Sequence, residues 1–329
     1  MIIAGAADRS LPFAAAPLAD AVWPRKLILV TGGTGFVGQR LVEALSAAGH
    51  GVIVLSRNAV SDNLPDSVRV ITSLLEIAPA TRIDAVVNLA GESIAGGLWT
   101  RKKRARILQS RRDMAAQCRD LVARLECKPE VLITASAIGW YGIRGDETLD
   151  ESSTGTACFS REICEAIEQG AAACAELGVR VVPLRIGLVL DSSGGMLGRM
   201  LLPFRLGLGG PFGSGKHWMS WIHRDDLVRL ICHAIAQPSL SGPVNAVAPN
   251  PVRNRDFVKA LGKALHRPAV FPVPAAPLKL VLGQFAEELL LGGQRVVPVR
   301  AEASGFRFRY PTLDAALAAI IEHEKGDAP

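Results

Sequence analysis

The feature that most constrains this chain is a short apolar run followed by glycines spaced three apart. Residues 27–30 are Leu-Ile-Leu-Val, and Gly32, Gly35 and Gly38 follow before an amphipathic segment begins. The pattern is typical of a strand, a tight turn and the start of a helix. Such a turn lets backbone N–H groups approach a pyrophosphate, and the helix N-terminus adds the positive end of its dipole. A nucleotide-binding turn is therefore predicted, with a glycine-rich turn that holds no ligand as the alternative.

Apolar strand patterns alternate with amphipathic helix patterns from Lys26 to Leu184. This alternation is typical of βαβ units that build a parallel sheet. The predicted strands are 27–30, 52–55, 68–71, 85–89, 131–135 and 179–184. The predicted helices are 37–48, 101–125 and 160–177. The fold class that follows is α/β, with a Rossmann doubly wound parallel sheet.

The composition changes after Leu184, where nine glycines fall between residues 187 and 215 and the regular alternation stops. Prolines are frequent further on, and the later predicted helices are 225–236, 254–265, 276–290 and 312–323. In open α/β folds, ligands bind beyond the carboxyl ends of the strands. The second half is therefore predicted to include a smaller C-terminal capping domain that covers this edge and supplies the substrate pocket.

These patterns predict a division into domains. Residues 1–24, in which prolines are interspersed among alanines, are expected to form a flexible leader. Residues 25–184 and 218–248 are assigned to the dinucleotide-binding Rossmann domain. Residues 185–217 and 249–329 are assigned to the capping, or substrate, domain.

Composition narrows the classes of partner. The net charge of +6 leaves room for an anionic ligand, but aromatic residues make up only 5% and the basic residues are mostly dispersed, which argues against nucleic acid. No window reaches the roughly 18 apolar residues that a membrane helix needs. The six cysteines show no CxxC pair and are expected to be reduced and mostly buried, as in a cytoplasmic protein. A phosphorylated small molecule fits the positive charge equally well.

The second predicted strand indicates which dinucleotide is bound. A carboxylate about 20 residues after the glycines holds the ribose 2′-OH of NAD, whereas an arginine there accommodates the 2′-phosphate of NADP. Residues 52–55 are followed by Ser56 and Arg57, and no acidic residue occurs between Glu43 and Asp62. NADP(H) is therefore the predicted cofactor. A solvated arginine at a strand end is the alternative interpretation of Arg57.

The fourth predicted strand runs into Asn88, Leu89, Ala90 and Gly91. Small residues at this point let a cofactor pass close to the backbone, and structural packing is the rival explanation. The full set of predicted cofactor contacts is Gly32, Thr34, Gly35, Phe36, Val37, Gly38, Ser56, Arg57, Asn88, Leu89, Ala90, Gly91, Ser136 and Arg185.

Several motifs together carry a resemblance to a known family. They are residues 31–38, residues 88–95, Trp99-Thr100, Ser110-Arg111, Ser136 with Tyr141-Gly142, residues 194–197, residues 207–211 and residues 221–226. The chain resembles the extended short-chain dehydrogenase/reductases, which include NAD(P)-dependent sugar-nucleotide epimerases. Within them it is similar to an atypical, epimerase-family branch, some of whose members are labelled SulA-like cell-division inhibitors. The resemblance implies NADP binding and implies little about the reaction.

Typical enzymes of this superfamily use a Tyr-x-x-x-Lys pair on the helix after the fifth strand. The lysine lowers the pKa of the tyrosine, which then exchanges a proton with the carbinol oxygen. The only tyrosines here are Tyr141 and Tyr310, and the residues four positions later are Gly145 and Asp314. The usual proton relay is therefore absent from the sequence, as the atypical branch implies.

Substitutes for this relay are few. Alignment on Tyr141 places Ala137 where the usual serine stands, with Ser136 one position earlier. Tyr141 is a candidate general acid if a cation such as Arg144 or Arg185 lies beside it, and a packing or substrate-contact tyrosine is the alternative. Ser136 is a candidate hydrogen-bond donor to a substrate or to the nicotinamide amide.

Other polar residues give weaker signals. Glu162 and Glu165 are candidate bases, although helix glutamates are more often solvated. His223 is expected to cap the helix that begins beside it, and no metal site is predicted. By analogy with superfamily dimers, helices 101–125 and 160–177 suggest a homodimer.

The sequence favours an NADP(H)-binding enzyme that is epimerase-like or an oxidoreductase. Its expected substrate is a small organic molecule, and nucleotide-linked compounds are one candidate class. The rival hypothesis is a non-catalytic NADP(H)-responsive regulator or binding protein, with a role in cell division as one version.

Overall fold

A seven-stranded parallel sheet forms the centre of the fold in the computed structural model, which describes residues 24–58, 63–94 and 98–326. The strands are β1 (Leu27–Thr31), β2 (Gly51–Leu55), β3 (Arg69–Ile71), β4 (Ala85–Asn88), β5 (Val131–Ala137), β6 (Thr148–Leu149), β7 (Arg180–Ile186), β8 (Leu188–Leu190), β9 (Trp218–Met219), β10 (Trp221–His223), β11 (Val244–Ala246), β12 (Val252–Arg253) and β13 (Arg295–Val296). The helices are α1 (Phe36–Ala47), α2 (Arg101–Arg124), α3 (Phe159–Ala175), α4 (Gly195–Arg205), α5 (Arg224–Ala236), α6 (Asn254–Leu265), α7 (Ala275–Leu282), α8 (Val299–Ala303) and α9 (Leu313–Gly326).

The order of the strands creates a crevice at one edge of the sheet. The order is β11-β7-β5-β4-β1-β2-β3, and every pairing within it is parallel. The chain builds outward from β1 to β2 and β3, and then crosses back to β4 on the other side of β1. Ligands of doubly wound sheets bind at the carboxyl ends of the strands where the order reverses. The predicted Rossmann fold is therefore confirmed, and the switch point lies between β1 and β4.

Helices cover both faces of the sheet, which explains the unbroken apolar strands. Ile28 and Val30 of β1 face the cluster that includes Leu41 of α1 and Ile231 of α5. Leu29, between them, faces the opposite cluster with residues of α2 and α3. Successive side chains of a strand point to opposite faces, so both must be apolar when both are covered.

A separate apolar core lies under the second half of the chain. Trp221 and Phe257 are fully buried in it, and α4, α6 and α9 contribute most of the remaining side chains. A distinct core fits a capping unit, and the boundaries of the two domains stay a prediction. The predicted leader falls outside the described residues apart from Pro24.

In the second half, one helix was not predicted and one predicted helix is divided. The region 185–217 contains α4, although Gly198 and Pro203 lie within this helix and lower its intrinsic propensity. Burial of its apolar face, including Leu197 and Phe204, compensates for this low propensity. The predicted helix 276–290 is divided, because α7 ends at a glycine in the left-handed region before a short π-helical turn, Ala286–Leu291.

The cysteine prediction is confirmed for most of the positions. Cys118, Cys164, Cys174 and Cys232 are buried and free, whereas Cys127 is exposed. Burial raises the pKa of Cys118 and Cys232 to about 12, so these thiols stay protonated and unreactive. Within the described ranges, no helix is both long and apolar enough to cross a membrane.

Candidate functional site

The glycine turn between β1 and α1 lies against the end of β4. Gly32 has φ of 71°, and a Cβ there would lie 2.9 Å from the backbone nitrogen of Ala90. A Cβ on Gly38 would lie 2.1 Å from the carbonyl oxygen of Gly32. The turn is closed by a hydrogen bond of 3.0 Å from the N–H of Gly35 to the same carbonyl. Glycine is therefore required at both positions for the strand, turn and helix to pack this closely.

The first turn of α1 carries the features of an anion-binding helix terminus. Gly35 is the N-cap, no side chain caps the helix, and its first turn contains no acidic residue. Thr34 and Gly35 are exposed, and Phe36 and Val37 are half-buried. The uncapped N–H groups and the dipole together favour a phosphate at this point.

Polar side chains connect the carboxyl ends of β1, β4 and β5. The hydroxyl of Thr31 donates to Asn88 Oδ1 over 2.7 Å, and the Asn88 amide reaches the Thr134 hydroxyl at 3.5 Å. The N–H of Ala90 donates to Thr31 Oγ1 and to Asn88 Oδ1, both at 3.3 Å. Leu89 and Ala90 are therefore held at the switch point, beside the glycine turn.

Arg57 lies exposed at the end of β2, next to half-buried Ser56. The pKa of Glu92, in the loop after β4, is lowered mainly by its hydrogen bond and ion pair with Lys103, with smaller contributions from Arg106 and Arg57. Glu92 therefore pairs with two cations of α2, and Arg57 lies close enough to influence its carboxylate as well.

Ser136, Tyr141 and Arg185 belong to one buried hydrogen-bond network. Arg185 binds both carboxylate oxygens of Glu168 at 3.0 Å, and the Ser136 hydroxyl donates to Glu168 Oε1 over 2.8 Å. Arg185 Nη1 donates to the Tyr141 hydroxyl at 3.2 Å, and this hydroxyl donates to Asn245 Oδ1 at 2.7 Å. The network thus joins β5, α3, β7 and β11.

Burial shapes the chemistry of this network. Tyr141 has no exposed surface, and burial is the largest influence in raising the pKa of its phenol, against opposing hydrogen bonds and charge from Arg185. The cation beside Tyr141 is Arg185, because Arg144 pairs with Glu147 at 2.7 Å instead. The geometry provides a fully partnered phenol, with its proton directed at Asn245.

Sequence reasoning missed Glu168 and Asn245. Ser160, Cys164 and Glu168 follow each other at intervals of four on α3, which places them on one face of the helix. This spacing is the signal that identifies Glu168 as a residue facing β5. The candidate bases Glu162 and Glu165 lie elsewhere, because both line a groove of about 480 Å³ between α2 and α3.

Glu288 is a third residue that sequence reasoning missed. It is buried and comes from the π-helical turn in the C-terminal region. Its carboxylate accepts from the N–H groups of Phe159 and Ser160 at 3.2 and 2.9 Å, and from the Ser160 hydroxyl at 2.5 Å. The carboxylate satisfies two N–H groups at the start of α3, where no other side chain caps the helix. The C-terminal region is thereby attached to the helix that follows β5.

The histidines beside the glycine-rich loop have different roles. The prediction that His223 caps a helix is confirmed, because its Nδ1 accepts from the N–H of Asp225 at the start of α5 over 3.0 Å. Among the described residues, no three His, Cys, Asp or Glu side chains are placed to hold a metal ion. His217 lies just before β9, and burial lowers its pKa to about 4.

We expect the free energy of unfolding to fall as the pH decreases from about 6.5 to about 4. In this range the unfolded chain takes up a proton at His217 and the folded chain does not, so protonation favours unfolding. The contribution of His217 is on the order of 1–2 kcal/mol once its partial exposure is allowed for. Urea unfolding at pH 7 and pH 4.5 measures it.

The variant His217→Asn should show a smaller loss over this range, while His50 and His223, whose pKa values burial also lowers, keep their contributions. Exposed His266 gives a matched control, His266→Asn. An identical pH dependence in wild type and His217→Asn would refute the assignment.

Comparisons with known proteins agree with the geometry. Residues 28–247 match the model of the NAD dependent epimerase/dehydratase family, and residues 273–320 match a domain of unknown function (DUF1731). The epimerase family protein SDR39U1 homolog of Arabidopsis thaliana, described as chloroplastic, is 40% identical over 90% of this chain and 86% of that protein. The epimerase family protein YfhF of Bacillus subtilis is 38% identical over 91% and 99%.

Solved structures extend the comparison. The crystal structure of human epimerase family protein SDR39U1 (isoform 2) with NADPH has a TM-score of 0.81 and 34% identity, and the match covers 90% of this chain and 99% of that one. A nucleoside-diphosphate sugar epimerase from Corynebacterium glutamicum has a TM-score of 0.73 and 34% identity, covering 91% and 58%. UDP-glucose 4-epimerase of Thermus thermophilus, at 20% identity and a TM-score of 0.70 over 92% of this chain and 100% of that one, shows the shared fold alone.

Proposed function

The chain belongs to the NAD-dependent epimerase/dehydratase family, and from this premise we propose that it binds NADP(H) at the switch point and acts on a small organic substrate. The observation that carries the proposal is the glycine turn with Arg57 at the end of the neighbouring strand. The relative crystallised with NADPH supports it. When bound, NADP(H) supplies or accepts a hydride.

Different residues bind different parts of the dinucleotide. The uncapped N–H groups after Gly35 bind the pyrophosphate, and close packing at Gly32 and Gly38 leaves room for it. Arg57 binds the 2′-phosphate, and Ser56 contributes a hydroxyl beside it. Asn88, Leu89, Ala90 and Gly91 border the path toward β5.

The substrate lies beyond the carboxyl ends of β5 and β7, under the capping region. Nucleotide-linked sugars are the first class to test, because a relative of 34% identity is described as a nucleoside-diphosphate sugar epimerase. Ser136 and Tyr141 remain the candidate proton-handling residues. The Ser136 hydroxyl donates to Glu168 and the Tyr141 hydroxyl donates to Asn245. Each hydroxyl must therefore leave its present acceptor before it can donate a proton to a substrate.

Because both hydroxyls already donate to protein acceptors, a second candidate function is a non-catalytic NADP(H)-responsive binding protein. The two functions are distinguished by incubating the chain and NADPH with a panel of nucleotide sugars and small carbonyl compounds. Consumption of NADPH, or interconversion of a sugar, supports the enzyme. Tight NADPH binding with no turnover across the panel supports the binding protein.

Replacement of Arg57 by alanine should weaken NADPH binding about 10- to 100-fold and leave NADH binding unchanged. The reason is that a hydrogen bond to a charged group contributes about 1.5–3 kcal/mol, and NADH lacks the 2′-phosphate. Calorimetric titration of both nucleotides measures the change. The control is Arg82→Ala, because Arg82 is an exposed arginine that precedes β4 at the opposite edge of the sheet. Equal weakening of NADPH and NADH in Arg57→Ala would contradict the assignment.

We also propose that the chain forms a homodimer through α2 and α3. Ala115, Ala166, Gly170 and Ala173 line the groove between these helices, and small side chains allow the close approach of another helix. Cytoplasmic localisation remains a prediction, since one relative is chloroplastic.

A further inference from the structure

Ser110 and Arg111, in the middle of α2, form hydrogen bonds with the backbone of the loop that follows β4. The Ser110 hydroxyl accepts from the N–H of Glu92 at 3.1 Å. Arg111 Nη1 donates to the carbonyl of Ala90 at 2.8 Å, and Nη2 donates to the carbonyl of Glu92 at 3.0 Å. Two adjacent side chains of one helix therefore fix a three-residue turn at three points.

The absence of a side chain at Gly91 leaves the space that the Arg111 guanidinium occupies. A Cβ on Gly91 would lie 1.0 Å from Arg111 Nη1, so any other residue here displaces the guanidinium. The same turn contacts the glycine turn, because the backbone nitrogen of Ala90 lies within 2.9 Å of where a Gly32 Cβ would be. The Arg111 guanidinium thus lies directly behind the wall of the proposed cofactor crevice.

The charge of Arg111 is not balanced by an ion pair. Its described partners are carbonyl oxygens, its Nε has no hydrogen-bond partner, and no carboxylate of the described residues forms a salt bridge with it. Burial is the main cause that lowers its pKa, and the charges of Cys164 and Glu92 oppose this to a smaller extent. Arg111 is half-buried, and a partly desolvated cation without a counter-ion is destabilised unless an anion binds nearby.

The direction of the peptide bonds supplies the second argument. In a trans peptide the C=O and the following N–H point in opposite directions. Because the Ala90 carbonyl points at Arg111, the N–H of Gly91 points away from α2, toward the crevice. No described group accepts a hydrogen bond from this N–H.

We propose that Arg111 is a positioning residue for the dinucleotide: it turns the Gly91 N–H into the crevice as a donor and supplies an unbalanced positive charge behind it. The inference rests on the proposed function, since its ligand is the anionic cofactor bound at the glycine turn. Ser110 assists by fixing Glu92, the end of the same turn.

Calorimetric titration with NADPH at low and high salt tests the proposal, with Arg111→Met, Arg111→Lys and Gly91→Ala. Arg111→Met should bind NADPH about tenfold or more weakly and should lose less affinity on addition of salt than wild type does. A merely structural arginine would not change the salt dependence. Arg111→Lys, which keeps the charge but bridges fewer carbonyls, should retain the wild-type salt dependence at an intermediate affinity. Gly91→Ala, which displaces the guanidinium but keeps its charge, should weaken NADPH binding as Arg111→Met does.

The matched control is Arg112→Met, because Arg112 is the exposed next residue of the same helix. It should bind as wild type does. If Arg111→Met or Gly91→Ala binds NADPH with wild-type affinity and wild-type salt dependence, the inference is overturned and the proposed function still stands. Failure of the wild-type chain to bind NADPH would overturn the proposed function and the inference with it.

Discussion

Replacement of Gly38 by valine should reduce NADPH binding at least about 100-fold and lower the free energy of unfolding by about 1–3 kcal/mol. Even the Cβ would lie 2.1 Å from the carbonyl oxygen of Gly32, so α1 must move away from the turn. That movement displaces the uncapped N–H groups on which pyrophosphate binding depends. Calorimetric titration and urea unfolding measure the two effects.

Gly38→Ala should show the same two effects to a smaller extent. Glu43→Gln is the control, since Glu43 is exposed on α1 and its ion pair with Arg40 is long, at 3.5 Å. NADPH binding by Gly38→Val at wild-type affinity would show that the cofactor does not use this turn.

Replacement of Arg185 by methionine should lower the free energy of unfolding by about 3–5 kcal/mol, because it leaves the Glu168 carboxylate without its cation in a buried site. The Arg185 side chain is 4% exposed and that of Glu168 is 12% exposed, so solvent offers little compensation. Tyr141 also loses the donor to its hydroxyl. Urea unfolding monitored by circular dichroism measures the loss.

Two further variants give this prediction its controls. The double variant Arg185→Met/Glu168→Met should recover much of the loss, since no unpaired charge remains. Arg161→Met is the matched control, because Arg161 also pairs with a glutamate of α3 and also stacks on Trp140. Its pair with Glu165 lies at the surface, so this variant should lower the free energy of unfolding by less than about 1 kcal/mol. A loss in Arg185→Met no larger than in Arg161→Met would contradict the assigned strength of the buried pair.

Local sequence signals were sufficient for the first half of the fold. Strands β1, β2 and β4 consist almost wholly of apolar residues, and the helices have their own amphipathic period, so β1 to β5, β7 and α1 to α3 follow from periodicity. The two-residue strand β6 was not predicted. The glycine turn was also predictable from its spacing in the sequence. The contacts that require Gly38 are local, with Gly32 and Gly33, whereas Gly32 packs against Leu89 and Ala90, which only the fold brings close. The second half was less predictable, since α4 depends on tertiary burial that outweighs Pro203.

The partners of the site residues required the structure. Tyr141 and Ser136 stand out in the sequence, but Asn245 is 104 residues from Tyr141 and Glu288 is 128 from Ser160. Pairings over such separations depend on the fold and leave no periodic signal in one sequence. Arg185 was predicted as one of two candidate cations, and only the packing of β7 against β5 identifies it as the one beside Tyr141.

The central claim is that the glycine turn and Arg57 together select NADP(H). The most direct test is a calorimetric titration of the wild-type chain with NADPH and with NADH at the same ionic strength. We predict saturable binding of NADPH with a dissociation constant at least about tenfold below that of NADH, in keeping with one charge-assisted hydrogen bond to the 2′-phosphate. Equal affinity for the two nucleotides, or no binding of either, would contradict the claim.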